Sequence, residues 1–154
     1  AGLRVINIGI ESSNENILEK ATRKPVKLEH QERILKYCDK LGIRVTAFYM
    51  LGLPEDTEES IKHTIRYAKK LNTYVAQFFI FTLFPGTKYY EEMKECIFEH
   101  DWQNFDCYTP IFRHKNLSAD RLLALKEKAF VTYYFRPNWI AKFCKILIRG
   151  VKNA

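Results

Sequence analysis

The sequence predicts an α/β fold in which parallel strands alternate with helices. Three short runs, residues 3–10, 44–51 and 74–83, are β-branched, aromatic and nearly continuous in apolar character, the pattern of strands buried on both faces of a parallel sheet. The stretches between them carry apolar residues at helical spacing, and helical crossovers are the economical way to join parallel strands. At 154 residues and 47% hydrophobic, the chain has the size and apolar content of one ordinary domain.

Each element follows from its residues. After the strand at 3–10, a helix beginning near Ser13 buries Ile17, Leu18 and Ala21 and stops before Lys24-Pro25, because proline disfavours helix in the residue before it. The next helix, from about 28 to 41, places Leu28, Ile34, Leu35, Cys38 and Leu41 on one face, with Gly42 as its left-handed stop. Beyond the strand at 44–51, Asp56-Thr-Glu-Glu59 has the arrangement of a capping box and opens a helix burying Ile61, Ile65, Ala68 and Leu71. The strand at 74–83 leads through Pro85-Gly86-Thr87 into a helix near 88–97.

Residues 101–116 read as irregular and gather Trp102, Phe105, Tyr108, Pro110 and Phe112. Ser118 caps a long helix with Leu122, Leu125, Ala129, Val131/Thr132 and Phe135 as apolar positions, ending at Arg136-Pro137. A last helix near 139–148 carries Trp139, Ile140, Phe143, Ile146 and Leu147, flanked by Lys142, Lys145, Arg149 and Lys152. The reading divides the chain into residues 1–100, the strand–helix units, and residues 101–154, an aromatic loop with a basic helical extension.

Charge follows the same division. The net charge is +7, and residues 101–154, with 10 Lys/Arg against 4 Asp/Glu, carry +6 of it. Such a segment attracts nucleic acid, anionic lipid or an acidic partner, although a solvated basic face is the commoner case. Cys38, Cys96, Cys107 and Cys144 match no zinc, iron–sulfur or thioredoxin spacing. They read as reduced thiols and point to a cytoplasmic compartment. No apolar run reaches the ~18 residues a membrane span requires.

In parallel α/β folds the binding face lies at the carboxyl ends of the strands. Here those ends are Gly9-Ile-Glu11-Ser12-Ser13, Met50-Leu-Gly52-Leu-Pro54-Glu55-Asp56 and Thr82-Leu-Phe84-Pro85-Gly86-Thr87. Glu11 is the sharpest residue: a carboxylate directly after a buried strand suits a ribose diol or an ammonium group, and equally suits backbone N–H groups at the next helix start. Glu55 and Asp56 are favoured at a helix N-terminus by the macrodipole alone. The chain has no phosphate-binding GxGxxG, no GxSxG elbow and no HExxH or HxxxH pair. No residue pattern makes an activated nucleophile, so chemistry must come from a bound cofactor.

The three strand ends in order, Gly-Ile-Glu-Ser at 9–12, Phe-Tyr-Met-Leu-Gly-Leu-Pro-Glu-Asp-Thr-Glu-Glu at 48–59 and Phe-Thr-Leu-Phe-Pro-Gly-Thr-Lys-Tyr-Tyr at 81–90, resemble the later strands of radical S-adenosylmethionine enzymes. The nearest resemblance is to the group that often carries an upstream cobalamin-binding domain, a pattern that Ile17-Leu18-Glu19 and Thr22-Arg23-Lys24 also follow. The resemblance implies a partial TIM-like (β/α) barrel, of which the chain is the second half only, about three parallel β/α units plus a C-terminal helical extension. It implies that Glu11 and Ser12 contact the ribose or methionine part of S-adenosylmethionine, that Met50 and Gly52 lie beside the adenine, and that the backbone around Thr82 and Phe84 flanks it. In the family motif GxIxGxxE, Phe48 stands here at the first glycine and Met50 at the isoleucine, with Gly52 and Glu55 retained.

In that family a 4Fe–4S cluster on a CxxxCxxC loop reductively cleaves S-adenosylmethionine to a 5′-deoxyadenosyl radical. No CxxxCxxC occurs in these residues. The resemblance therefore implies a fragment, inactive alone, whose partners are the N-terminal half of the same catalytic domain, an unknown substrate and an electron donor, with cobalamin as a further cofactor of the parent. The aromatic cluster Trp102, Phe105, Tyr108 and Phe112 is expected either to cover a substrate or to fill the open bottom of the barrel. The alternative reading is a non-catalytic half-barrel module docking through its basic C-terminal helix on a membrane surface, nucleic acid or a partner domain.

Overall fold

Three strands, β1 (Val5–Glu11), β2 (Arg44–Leu51) and β3 (Val75–Ile80), form a parallel sheet in the order β1-β2-β3. The computed structural model describes residues 2–21 and 27–152; the expected helix stop at Lys24-Pro25 and the Thr22-Arg23-Lys24 pattern lie outside them. Val5 pairs with Arg44 and Thr46 with Val75, so the strands advance in step. The helices are α1 (Glu15–Lys20), α2 (Leu28–Lys40), α3 (Glu58–Leu71), α4 (Lys88–Met93), α5 (Ala119–Tyr134) and α6 (Pro137–Lys152). Short 3-10 turns at Lys94–Cys96 and Trp102–Asn104 interrupt the segment between α4 and α5.

The sheet has one buried face, which corrects the expectation of burial on both. Val45, Ala47, Tyr49 and Leu51 of β2 and Ala76, Phe78 and Ile80 of β3 join Leu35, Ile61, Ile65, Ala68, Leu122, Leu125, Ala129 and Tyr133 in one core. The alternating row, Arg44, Thr46, Phe48 and Met50 with Val75, Gln77 and Phe79, is at most half-buried. The cause is that α2, α3 and α5 contribute to the same side. A continuous apolar run is also compatible with a strand whose second face is lined by rings in an open cavity.

Other local expectations change in detail. Asn14 caps α1, its side chain accepting from the Asn16 and Ile17 N–H groups. The capping box of α3 is Thr57 with Ser60, not Asp56 with Glu59. Ile34, Leu41, Val131 and Phe135 are exposed rather than core, since α2 and α5 turn only part of their apolar girth inward. Gly42 stops α2 at φ +71° as expected.

The two edges of the sheet differ. On β3 the Tyr134 hydroxyl accepts from the Ala76 N–H at 3.1 Å and donates to the Ala76 carbonyl at 2.8 Å. The Trp139 indole donates to the Tyr74 carbonyl at 3.0 Å, and the Ile80 N–H donates to the Cys107 carbonyl at 2.7 Å. Side chains and a loop thus satisfy groups that another strand would otherwise take. Arg136 fastens the same corner, donating to the carbonyls of Tyr133 and Lys69 and to Asn72, carbonyls that lie at helix C-termini where a cation is favoured. Tyr134→Phe removes both hydroxyl bonds and is expected to lower the unfolding free energy by about 1–2 kcal/mol, read as a lower urea midpoint at unchanged slope. On β1, by contrast, no strand pairs with the outer side among the described residues, and Leu3 and Val5 are exposed.

Candidate functional site

The C-terminal ends of the strands finish close to one level. Glu11 pairs with Tyr49 after an irregularity between Gly9 and Glu11, Leu51 pairs with Ile80, and the Phe81 N–H donates to the Leu51 carbonyl at 2.9 Å. At the irregularity Glu11 adopts φ +63°, a left-handed conformation that non-glycine residues adopt rarely and that clusters at functional sites. Its carboxylate folds back over Gly9: a Cβ at position 9 would lie 2.7 Å from Glu11 Oε1. Gly9 is therefore the residue that leaves room for this carboxylate on the half-open face of the sheet.

Ser12 does not join it there. Ser12 and Ser13 are buried, with the Ser12 hydroxyl accepting from the Asn14 N–H at 3.1 Å. The Ser13 hydroxyl lies 2.6 Å from His63 Nδ1 and 3.1 Å from the Thr64 hydroxyl, whose oxygen also accepts the Ser13 N–H. These contacts sew the β1–α1 turn onto α3 and so fix where Glu11 leaves the strand.

The turn after β2 is built around a residue whose role the sequence reading underestimated. Gly52 has φ +81°, and the buried Asp56 carboxylate accepts the N–H groups of Gly52 at 3.0 Å and Leu53 at 2.9 Å. Asp56 Oδ1 lies 2.5 Å from the Ser60 hydroxyl, which also donates to the Thr57 carbonyl at 2.9 Å. The single Ser60 proton is shared between the Asp56 carboxylate and the Thr57 carbonyl, and the Ser60 oxygen accepts the Thr57 N–H at 2.9 Å. Burial, opposed by these hydrogen bonds, raises the Asp56 pKa above its ordinary value. Glu55, the acid of the quoted motif, points instead to Lys115 at 3.1 Å and Lys20 at 3.7 Å on the surface. His114 Nε2 lies 2.9 Å from the Leu53 carbonyl and the Asn116 amide donates to the Asp56 carbonyl at 2.8 Å, so the segment before α5 braces the turn.

Met50 is half-buried on the open face and packs with Leu53, Ile17 and Ala21. Thr82 is buried with its hydroxyl donating to the Ile80 carbonyl at 3.1 Å, which leaves its backbone as the part able to meet a ligand. Phe84 is exposed and lies against Phe105, with ring centroids 6.5 Å apart. The aromatic loop belongs to this end of the sheet: Phe112 packs with Leu83, and Tyr108 lies 5.5 Å from Phe79, itself 5.9 Å from Phe48. Phe48, Phe79 and Tyr108 make a ring-lined floor beside Gly9, which is the register partner of Phe48. Lys126 holds Tyr108 from above, donating to its carbonyl at 3.0 Å with the ammonium 5.2 Å from the ring centre.

This edge suits a nucleoside carrying hydroxyls. A carboxylate can accept both hydroxyls of a diol, and the backbone of the Gly52 turn approaches without a side chain. It does not suit a metal cluster: Cys38 is buried in the core, Cys144 is exposed on α6, and no three His, Cys, Asp or Glu side chains gather among the described residues.

Residues 1–68 match the model of the Radical SAM superfamily. The chain is 30% identical over 123 residues to bacteriochlorophyllide d C-12(1)-methyltransferase of Chlorobaculum tepidum, covering 80% of this chain and 27% of that protein. Coproporphyrinogen III oxidase of Escherichia coli, a radical SAM enzyme, shares the fold with TM-score 0.60 at 14% identity, over 86% of this chain and 26% of the other. The radical S-adenosylmethionine methyltransferase TsrM of Kitasatospora setae, solved with cobalamin and a 4Fe–4S cluster bound, aligns with TM-score 0.53 at 25% identity over 60% of this chain and 19% of its own. The chain thus spans a third or less of the length of the relatives it matches.

Proposed function

We propose that this chain, which belongs to the radical S-adenosylmethionine superfamily, forms the second half of a radical SAM catalytic domain and supplies part of its S-adenosylmethionine site. The observation that carries the reading is the Glu11 carboxylate, set over Gly9 by a left-handed backbone at the carboxyl end of an open sheet face. In this reading Glu11 accepts the ribose hydroxyls, the backbone of the Gly52–Leu53 turn and of Thr82 borders the adenine, and Met50 and Phe84 supply apolar contact. Asp56 and Ser60 hold the turn at a fixed height. S-adenosylmethionine, reduced by a 4Fe–4S cluster, supplies a 5′-deoxyadenosyl radical in this superfamily. No CxxxCxxC occurs in this sequence, so in this reading the cluster's ligands belong to the other half of the domain, and the chain alone is inactive.

The open edge of β1 is where that half is expected to pair, extending the parallel sheet while β3, already closed by Tyr134 and Trp139, remains its end. A cobalamin-bound methyltransferase among the similar structures makes cobalamin the second cofactor of this reading. The ring floor of Phe48, Phe79 and Tyr108 would receive the substrate, whose identity this reading does not specify.

Glu11→Gln tests the assignment, because it keeps size and removes the charge that strengthens hydrogen bonds from hydroxyls. In the protein carrying both halves of the domain, S-adenosylmethionine affinity by titration calorimetry is expected to fall about tenfold or more. Unchanged affinity would remove Glu11 from the site.

A further inference from the structure

Helix α6 has a face that the cofactor site does not use. Its inner side is fixed: Trp139 stacks on Phe143 at 5.0 Å, Phe143 on Tyr74 at 6.0 Å, and Tyr134 meets Trp139 edge-on at 4.8 Å. Lys142 adds a bond to the Asn72 carbonyl and an ion pair with Asp39, at 2.9 and 2.8 Å. The helix is therefore seated on the domain rather than free to turn.

The outward side is apolar. Ile140, Cys144 and Ile148 recur at every fourth residue, so they form one stripe along the helix. Ile140 is 49% and Ile148 59% exposed, and Cys144 is exposed as well. At the junction with α5, Phe135 is 78% exposed, and Phe130 and Val131 before it are also exposed. Lys145 on the same helix is exposed, and the sequence continues with Arg149 and Lys152. From Arg136 onward the chain has five Lys/Arg and no Asp or Glu.

An exposed apolar stripe on a helix whose own sequence is basic and carries no acid complements a surface that is anionic outside and apolar just beneath. That describes the interface of an anionic bilayer. A nucleic acid would match the cations and leave the isoleucines in water. No helix among the described residues is long and apolar enough to cross a membrane, so the geometry is that of a helix lying along the interface. We propose that the outward face of α6, with Phe135 at its end, docks the protein on an anionic lipid surface.

Flotation with vesicles of phosphatidylcholine, with and without phosphatidylglycerol, tests this using the whole chain. The expected result is binding to the anionic vesicles, weakened by high salt and absent on pure phosphatidylcholine. Ile140→Gln with Ile148→Gln removes apolar stripe only and is expected to weaken binding about tenfold or more, while circular dichroism and the urea midpoint stay unchanged. Lys145→Glu is expected to weaken it separately. Absence of flotation with anionic vesicles at low salt overturns the proposal. So does binding that is indifferent to the isoleucine pair, or preference for a duplex oligonucleotide over the vesicles.

Discussion

Asp56→Ala is expected to lower the unfolding free energy by about 3 kcal/mol, because it leaves the buried N–H groups of Gly52 and Leu53 without their acceptor. Asp56→Asn is expected to cost less than about 1 kcal/mol, since an amide can accept the same N–H groups with its oxygen and donate to Ser60 with its nitrogen. The contrast follows from the acceptor for the Gly52 and Leu53 N–H groups that asparagine keeps and alanine removes. The Asp56 carboxyl also gives the fold a pH dependence. The folded-state pKa of Asp56 is raised by burial, so its neutral form is the one the fold prefers. That contribution is complete below the unfolded carboxylate value and is lost as pH rises through the raised folded value. Urea midpoints from about pH 4 to about pH 7 should therefore show the wild type losing ground to Asp56→Asn as pH rises. A constant difference would show that the fold leaves the Asp56 pKa unshifted.

Gly52→Ala is the second large effect. Gly52 sits at φ +81°, where a Cβ would lie 3.0 Å from Leu122 Cδ2 in the core. The left-handed backbone alone costs an alanine roughly 1–2 kcal/mol, and shifting a buried leucine adds to it, for an expected loss of about 2–3 kcal/mol. Asp56 and Gly52 hold one turn, so the double variant should lose less than the two singles together. Strict additivity would show that the turn is not the shared element.

The strands, helices and their order were legible because apolar periodicity and β-branched runs act locally. β2 occupies the very residues 44–51 that the run marks, and Ser118 caps α5 as its spacing suggests. What was not legible depends on contacts distant in sequence. Tyr134 closes the edge of β3 across 58 residues, and His114 meets Leu53 across 61. The single buried face was hidden because both rows of β2 and β3 are largely apolar. A lined cavity and a packed core ask for similar residues.

The candidate site divides in the same way. Glu11, Met50, Gly52, Thr82 and Phe84 were proposed from their places after the strands, and the fold sets them at the carboxyl end of the sheet. Ser12, equally close in sequence, is turned inward to Thr64 because the left-handed step at Glu11 reverses the chain direction there. Asp56 looked like an ordinary helix-start acid. The signal that could have raised it is its place four residues after a glycine that ends a buried strand, within reach of the turn's own N–H groups.

The most direct test of the cofactor edge is the backbone amide spectrum of this chain titrated with S-adenosylmethionine. The account predicts saturable shifts at Gly9, Glu11, Met50, Gly52, Leu53 and Thr82, smaller in Glu11→Gln, with the outer helix-face amides of α2 and α3 unmoved. Shifts confined to those helices, with the strand ends silent, would contradict it.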